Sequence, residues 1–185
     1  MARYVALFGS INVGGNRLTM ADLRAAFEAE GFADVETVVA SGNVIFSHPA
    51  RPTRGLEEKL TLMVDDRFDM TCAALVRSRD ELAAAIADNP FAGTNEDRFV
   101  HTMFLDGQPT PAQFDALAAD KWIKPNERLA LGDRALYIDY GDGVADSKLT
   151  GRLIERHLAH KGTARNMRSI ARIVAKLDEL EKGAG

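Results

Sequence analysis

Val35-Glu36-Thr37-Val38-Val39-Ala40-Ser41-Gly42-Asn43-Val44-Ile45-Phe46-Ser47 is the stretch on which the fold turns. Ser41-Gly42-Asn43 has the residue types of a tight turn, and the runs on either side are rich in β-branched residues. Val35 to Val39 and Val44 to Ser47 are therefore the two arms of a hairpin. Upstream, Arg3 to Phe8 reads as a strand, and Gly9 to Arg17 as a loop with three glycines and two asparagines. Thr19, with Asp22 three residues on, caps a helix carrying Leu23, Ala26 and Phe27 that stops at Gly31. Downstream, Thr53 caps a helix with Leu56, Leu60, Met63 and Val64 on one face. Thr71 to Val76 is a strand. Ser78 with Glu81 makes a capping box for a helix through Ile86, which ends before Asn89-Pro90.

The same order then recurs. Phe99 to Leu105 is a strand, and Thr110-Pro111 opens a helix with proline at its first position. Arg128 to Leu131 and Ala135 to Tyr140 are strands joined at Gly132-Asp133. Lys148 to His160 is a helix, Gly162 to Ala164 a short strand, and Asn166 to Leu180 a final helix. Strand, helix, hairpin, helix, strand, helix thus occurs twice, ~95 residues apart. A βαββαβ order is the ferredoxin-like arrangement. The expectation is an α+β chain of duplicated ferredoxin-like halves, each with an extra helix, at residues 1–88 and 97–182. The competing reading is a coincidence of element order in a mixed chain.

Composition bounds the rest. Of 185 residues 46% are apolar and 27% charged, enough to bury a sizeable core. The single cysteine, Cys72, excludes an internal disulfide and suits a reducing compartment. It sits in the apolar run Met70 to Val76, which points to core rather than nucleophile. The apolar run at the N-terminus is too short for a signal peptide, and no stretch has the ~18 apolar residues of a membrane span. A cytoplasmic protein with no membrane partner is expected. Net charge is −4 but unevenly spread. From Lys148 to Lys176 eight basic residues face one acid, Glu155, giving that segment +7 and leaving −11 for the remainder. Such asymmetry marks one surface suited to an anion.

Three motifs carry candidate chemistry. Gly9 to Arg17 spaces two glycines like a P-loop, but Gly15 and Asn16 stand where Lys and Ser/Thr are required, so the nucleotide-hydrolase reading fails. Asn12, Gly14, Gly15, Asn16 and Arg17 remain candidates for an anion nest of backbone N–H groups, against the alternative of a tight connection. Ser41 and Asn43 are candidates in the hairpin turn, which turn chemistry alone also explains. Third is the basic segment. Lys148, Arg152 and Arg156 fall at i, i+4, i+8, and Arg165, Arg168, Arg172 and Lys176 form a second stripe, with Asn166 at the start of the last helix. The alternative is a solvated charged face. His157 and His160 do not complete a metal-ligand set, and Asp139, Asp142 and Asp146 lack the EF-hand order, so neither a metal nor a cofactor is expected.

Ile11-Asn12-Val13-Gly14-Gly15-Asn16, Met20, Leu23, Ser41-Gly42-Asn43-Val44 and Phe46 together resemble the bacterial domain of unknown function 1697 family. Ser147-Lys148-Leu149 and Thr163-Ala164-Arg165-Asn166 match its second half. The resemblance implies an α+β fold with two related subdomains and assigns no chemistry. Three positions depart from its pattern. Gly9-Ser10 replaces an arginine-glycine pair, Met167 stands for a tryptophan, and Val38 for a tyrosine.

The leading functional expectation is binding of an anionic partner, nucleic acid or a phosphorylated small molecule such as a nucleotide. Tyr4 and Phe8, alternating on one strand, would serve it if displayed to bases on an open sheet, and would otherwise pack in the core. The rivals are a small-molecule enzyme with a site between the halves and a structural or regulatory interaction protein.

Overall fold

The computed structural model describes residues 1–9, 11, 18–38 and 42–183. The chain forms two compact units, Met1–Leu82 with Arg172–Gly185, and Ala83–Ala171. In the first, β1 (Ala2–Phe8), α1 (Met20–Ala29), β2 (Ala33–Thr37), β3 (Asn43–His48), α2 (Thr53–Phe68) and β4 (Ala74–Ser78) lead into α3 (Arg79–Ala87). In the second, β5 (Val100–Leu105), α4 (Pro111–Ala118), β6 (Arg128–Gly132), β7 (Ala135–Asp139), α5 (Gly151–Leu158) and β8 (Gly162–Asn166) lead into α6 (Met167–Lys182). Each unit holds a four-stranded, wholly antiparallel sheet. The orders are β2-β3-β1-β4 and β6-β7-β5-β8, so the strands occupy corresponding places in both. The fold is mixed α+β, with two such sheets each followed by helices. Among the described residues no helix is long and apolar enough to cross a membrane.

The helices form where local chemistry satisfies their first N–H groups. Thr19 Oγ1 accepts from Asp22 N at 3.1 Å. Ser78 Oγ accepts from Glu81 N at 3.2 Å while Glu81 Oε2 accepts from Ser78 N at 2.7 Å. Thr110 and Gln113 make the same reciprocal box around Pro111. Gly31, at φ 81°, ends α1 in the left-handed region that glycine enters at little cost.

One face of the first sheet, with Tyr4, Ala6, Phe8, Val44, Phe46 and Val76, packs with Leu23 and Phe27 of α1 and Leu56, Leu60 and Val64 of α2. Tyr4 is only 5% exposed and Phe8 only 2%. Tyr4 stacks on Phe46, and its hydroxyl donates to Arg51 O at 3.0 Å. Val5, Leu7, Ile45 and Leu75, on the opposite face, are fully buried. The two aromatics are therefore core, and the alternative of displaying them to bases on an open sheet is excluded. In the second unit Met103, Leu105, Leu136 and Ile138 pack with Leu117 of α4 and Leu153, Ile154 and Leu158 of α5. The reverse face carries Val100 and Tyr137, which cluster with Phe91 and Met167.

The two sheets agree residue by residue. Val5 lies opposite Ile45 and Arg77, and Thr102 lies opposite Tyr137 and Arg165. Arg77 and Arg165 are thus equivalent, on the edge strands β4 and β8. Both are buried and fold back identically: Arg77 Nη1 donates to Val76 O at 2.8 Å, Arg165 Nη1 to Ala164 O at 2.9 Å. Each precedes a helix cap, Ser78 for α3 and Asn166 for α6, whose Oδ1 accepts from Ser169 N at 2.9 Å.

Several boundaries differ from the sequence reading. The fourth strand runs Ala74–Ser78 rather than Thr71 to Val76. Pro52, not Thr53, holds the cap position of α2 and supplies no side-chain cap. Helix α5 is confined to Gly151–Leu158 because Thr150 caps it and Ala159, at φ 56°, closes it. The strand before α6 runs through Asn166, so Arg165 belongs to β8 and not to a helical stripe.

Candidate anion-binding groove

The second unit has a groove of about 450 Å³ lined by Trp122, Lys148, Thr150, Arg152, Leu153 and Arg156. Its shape follows from how α5 begins. Ser147 Oγ donates to the buried Glu127 carboxylate and accepts from Leu149 N at 3.1 Å. Tyr140 Oη donates to Leu149 O at 3.4 Å, and Leu149 itself is core. Thr150 Oγ1 then accepts from Leu153 N at 3.3 Å, which turns the chain into the helix. Lys148 is therefore an exposed side chain on a backbone held at both sides. Arg152 and Arg156, one turn apart (about 6 Å along the axis), project from the outer face of α5, whose inner face buries Leu153, Ile154 and Leu158. Among the described residues, none of the three cations is held in an ion pair. Lys148 and Arg152 present their charge to an incoming anion, while Arg156 also feels the charge of Asp120 from beyond ion-pair distance.

Trp122 forms the aromatic wall and is 50% exposed. Asp120 fixes its loop: Oδ1 accepts from Trp122 N at 2.9 Å, and Oδ2 lies 2.8 Å from His157 Nε2 on α5. The Trp122 N–H first, and His157 second, hold the Asp120 carboxyl below its usual value. One carboxylate thus ties the tryptophan loop to the helix that carries the arginines. Lys121 Nζ lies 5.2 Å from the centre of the indole ring.

The residues expected from sequence fall into three groups. Asn12, Gly14, Gly15, Asn16, Arg17 and Ser41 lie outside the described residues. Asn43 is fully buried in β3, where its Nδ2 donates to Val38 O at 3.1 Å and braces the hairpin mouth. Of the basic segment, Lys148 lines the groove, whereas Asn166 caps α6 and Arg168 is exposed on α6. Arg165 is 8% exposed, and its Nη1 donates to Thr163 Oγ1 at 2.8 Å. Burial brings its pKa down to about 10. Trp122 is a groove residue that the sequence reading passed over. The interleaving of cations and aromatics in Lys121-Trp122-Ile123-Lys124 was the available signal.

Other titratable groups are occupied structurally. Asp139 accepts from Arg128 Nε at 3.0 Å, Asn95 Nδ2 at 2.7 Å and Gly141 N at 2.9 Å. Glu57 Oε1 accepts from Arg77 Nη1 at 2.7 Å and Val76 N at 3.0 Å inside the first unit. Cys72 is buried, and burial followed by the nearby Asp65 charge pushes its thiol up to about 11. Among the described residues no three His, Cys, Asp or Glu side chains are grouped to hold a metal.

No curated protein matches the chain. The fold is similar to that of a conserved bacterial protein, SP0830 from Streptococcus pneumoniae, with a TM-score of 0.67. The two share 22% identity, over 96% of this chain and 99% of the other, which bears on fold alone. Residues 1–137 match the family described as protein of unknown function (DUF1697), and the chain belongs to that family.

Proposed function

We propose that this protein binds an anionic ligand, nucleic acid or a nucleotide, and that the groove beside Trp122 is where it binds. The observation that supports this best is the meeting of Lys148, Arg152 and Arg156 with a half-exposed indole, on a backbone already fixed before any ligand arrives. Cations supply attraction for phosphate, and an aromatic face supplies stacking for a base. The reading no longer draws on the buried Arg165. It goes with a cytoplasmic protein built from two ferredoxin-like copies, residues 1–88 and 97–182. The shared strand order of the two sheets and the matching Arg77 and Arg165 support that duplication.

The test is binding of a fluorescently labelled single-stranded RNA and of free AMP to the wild type and to a Lys148→Ala, Arg152→Ala, Arg156→Ala variant at low salt. Loss of at least tenfold in affinity for both ligands is the expected result. Equal affinities in the two proteins, or no binding of either ligand, would remove the proposal.

A further inference from the structure

We infer that the groove accepts a single nucleoside monophosphate, with its base on Trp122 and its phosphate on the Arg152–Arg156 side, rather than a run of polymer. The inference rests on the anion-binding reading above and narrows it to a ligand class. Size is the first ground. A volume of about 450 Å³ falls toward the lower end of small-ligand pockets, roughly 300–1,000 Å³. The lining offers one aromatic residue and three cations, so it holds the parts for one base and one phosphate group. Non-specific single-strand binders, by contrast, repeat stacking platforms along a charged track. Here Trp122 is the only tryptophan in the sequence, and among the described residues the other large exposed apolar side chains are Met1, Leu62 and Val144, none of them aromatic.

Division of labour within the groove is the second ground. Leu153 and the indole make an apolar part, whereas Lys148, Arg152 and Arg156 make a polar one. A nucleotide has that same division, with a flat π-face at one end and a doubly charged group at the other. Inorganic phosphate or a sugar phosphate would use only the cationic part. Rigidity is the third ground. Stacking against an ordered ring avoids the entropy cost of ordering it on binding. The Asp120 carboxylate, which accepts from Trp122 N and lies 2.8 Å from His157 Nε2, holds the backbone that carries the ring beforehand and so lowers that cost. Asp120 is a positioning residue in this scheme, acting through the loop it holds.

The single tryptophan makes the test direct. Its fluorescence is followed while the full-length protein is titrated with AMP, ribose 5-phosphate, inorganic phosphate and a ten-nucleotide single-stranded RNA. Calorimetry repeats the titrations on Trp122→Phe and Trp122→Ala, which change an exposed side chain and should leave the fold intact. AMP should quench the indole and bind about tenfold tighter than ribose 5-phosphate. Trp122→Phe should retain most of that preference, and Trp122→Ala should abolish it. The RNA should bind within a few-fold of AMP. If ribose 5-phosphate binds as tightly as AMP, the base is not read and this inference falls while the anion reading stands. If the RNA binds a hundredfold tighter than AMP, the ligand is a polymer and the inference falls in favour of nucleic acid. If none of the four binds, both readings fall together.

Discussion

Asp139 shows what a buried carboxylate does for this fold. Burial alone would raise its pKa, but the hydrogen bonds from Arg128, then Asn95 and Gly141 N, outweigh it and leave the pKa below the usual 3.8. A depressed carboxylate contributes stability that is present above its unfolded pKa and lost as pH falls through the folded one. The Asp139 contribution should therefore be complete at neutral pH and disappear below pH 3.8. Replacing Asp139 with Ala removes these bonds and leaves Arg128 with Thr94 Oγ1 and the Phe91 ring but no carboxylate. Thermal unfolding at pH 7 should show a cost of about 2–3 kcal/mol. The gap between wild type and variant should shrink as the same measurement is carried to low pH. A gap that holds constant with pH would contradict this account. The neighbouring polar residues were visible in the sequence only as Asp139, Asp142 and Asp146 around two glycines. That pattern could exclude an EF-hand but could not show Arg128 arriving from the adjacent strand.

At the scale of elements, the helix caps were the most legible part of the chain. Ser78 with Glu81, and Thr110 with Pro111, act within four residues, so local chemistry decides them and tertiary context has little to override. Arg165 is the contrary case. In sequence it continues a basic stripe into the last helix, yet it lies in β8 with its guanidinium buried. Extending the strand from Ala164 to Asn166 puts Arg165 on a sheet face instead of a helix face, and the helical spacing of the basic residues does not report that boundary. Trp122 was missed for a related reason. Its place is set by Asp120 and by a helix more than thirty residues later, at His157. The edge strand β4 offers a measurable consequence of burying charge. Glu57→Ala leaves Arg77 buried without its carboxylate and should destabilise the protein by about 3–5 kcal/mol. A Glu57→Leu, Arg77→Met double replacement should recover much of that loss in denaturant unfolding. A double variant at least as unstable as the single one would show that the pair stabilises the fold in its own right.

The charge of the whole molecule also takes on a more limited meaning. The segment from Lys148 to Lys176 carries +7. In the fold, Arg165 is buried, Lys176 Nζ lies 3.3 Å from Glu36 Oε2, and only Lys148, Arg152 and Arg156 line the groove. Even if each of the three groove cations met a separate phosphate, the slope of log affinity against log salt on a single strand would be no steeper than about −2, whereas seven contacts would give about −5. Titrating the labelled RNA at several salt concentrations separates the two, and a slope near −5 would place binding outside the groove. The repeated strand order was legible because turns, caps and apolar runs recur in the same sequence. The shared register was not, since Val5 with Arg77 and Thr102 with Arg165 are pairings between segments sixty or more residues apart. The recurrence of one arginine at the rim of each sheet bears on how such a chain avoids its own kind. A bare strand rim is a template on which another polypeptide can add itself, and stacked additions grow into fibrils. By turning a guanidinium back onto Val76 O and Ala164 O, each sheet occupies a carbonyl that a recruited strand would otherwise take. The same device thus closes one carbonyl on a rim of each sheet, at the same strand position.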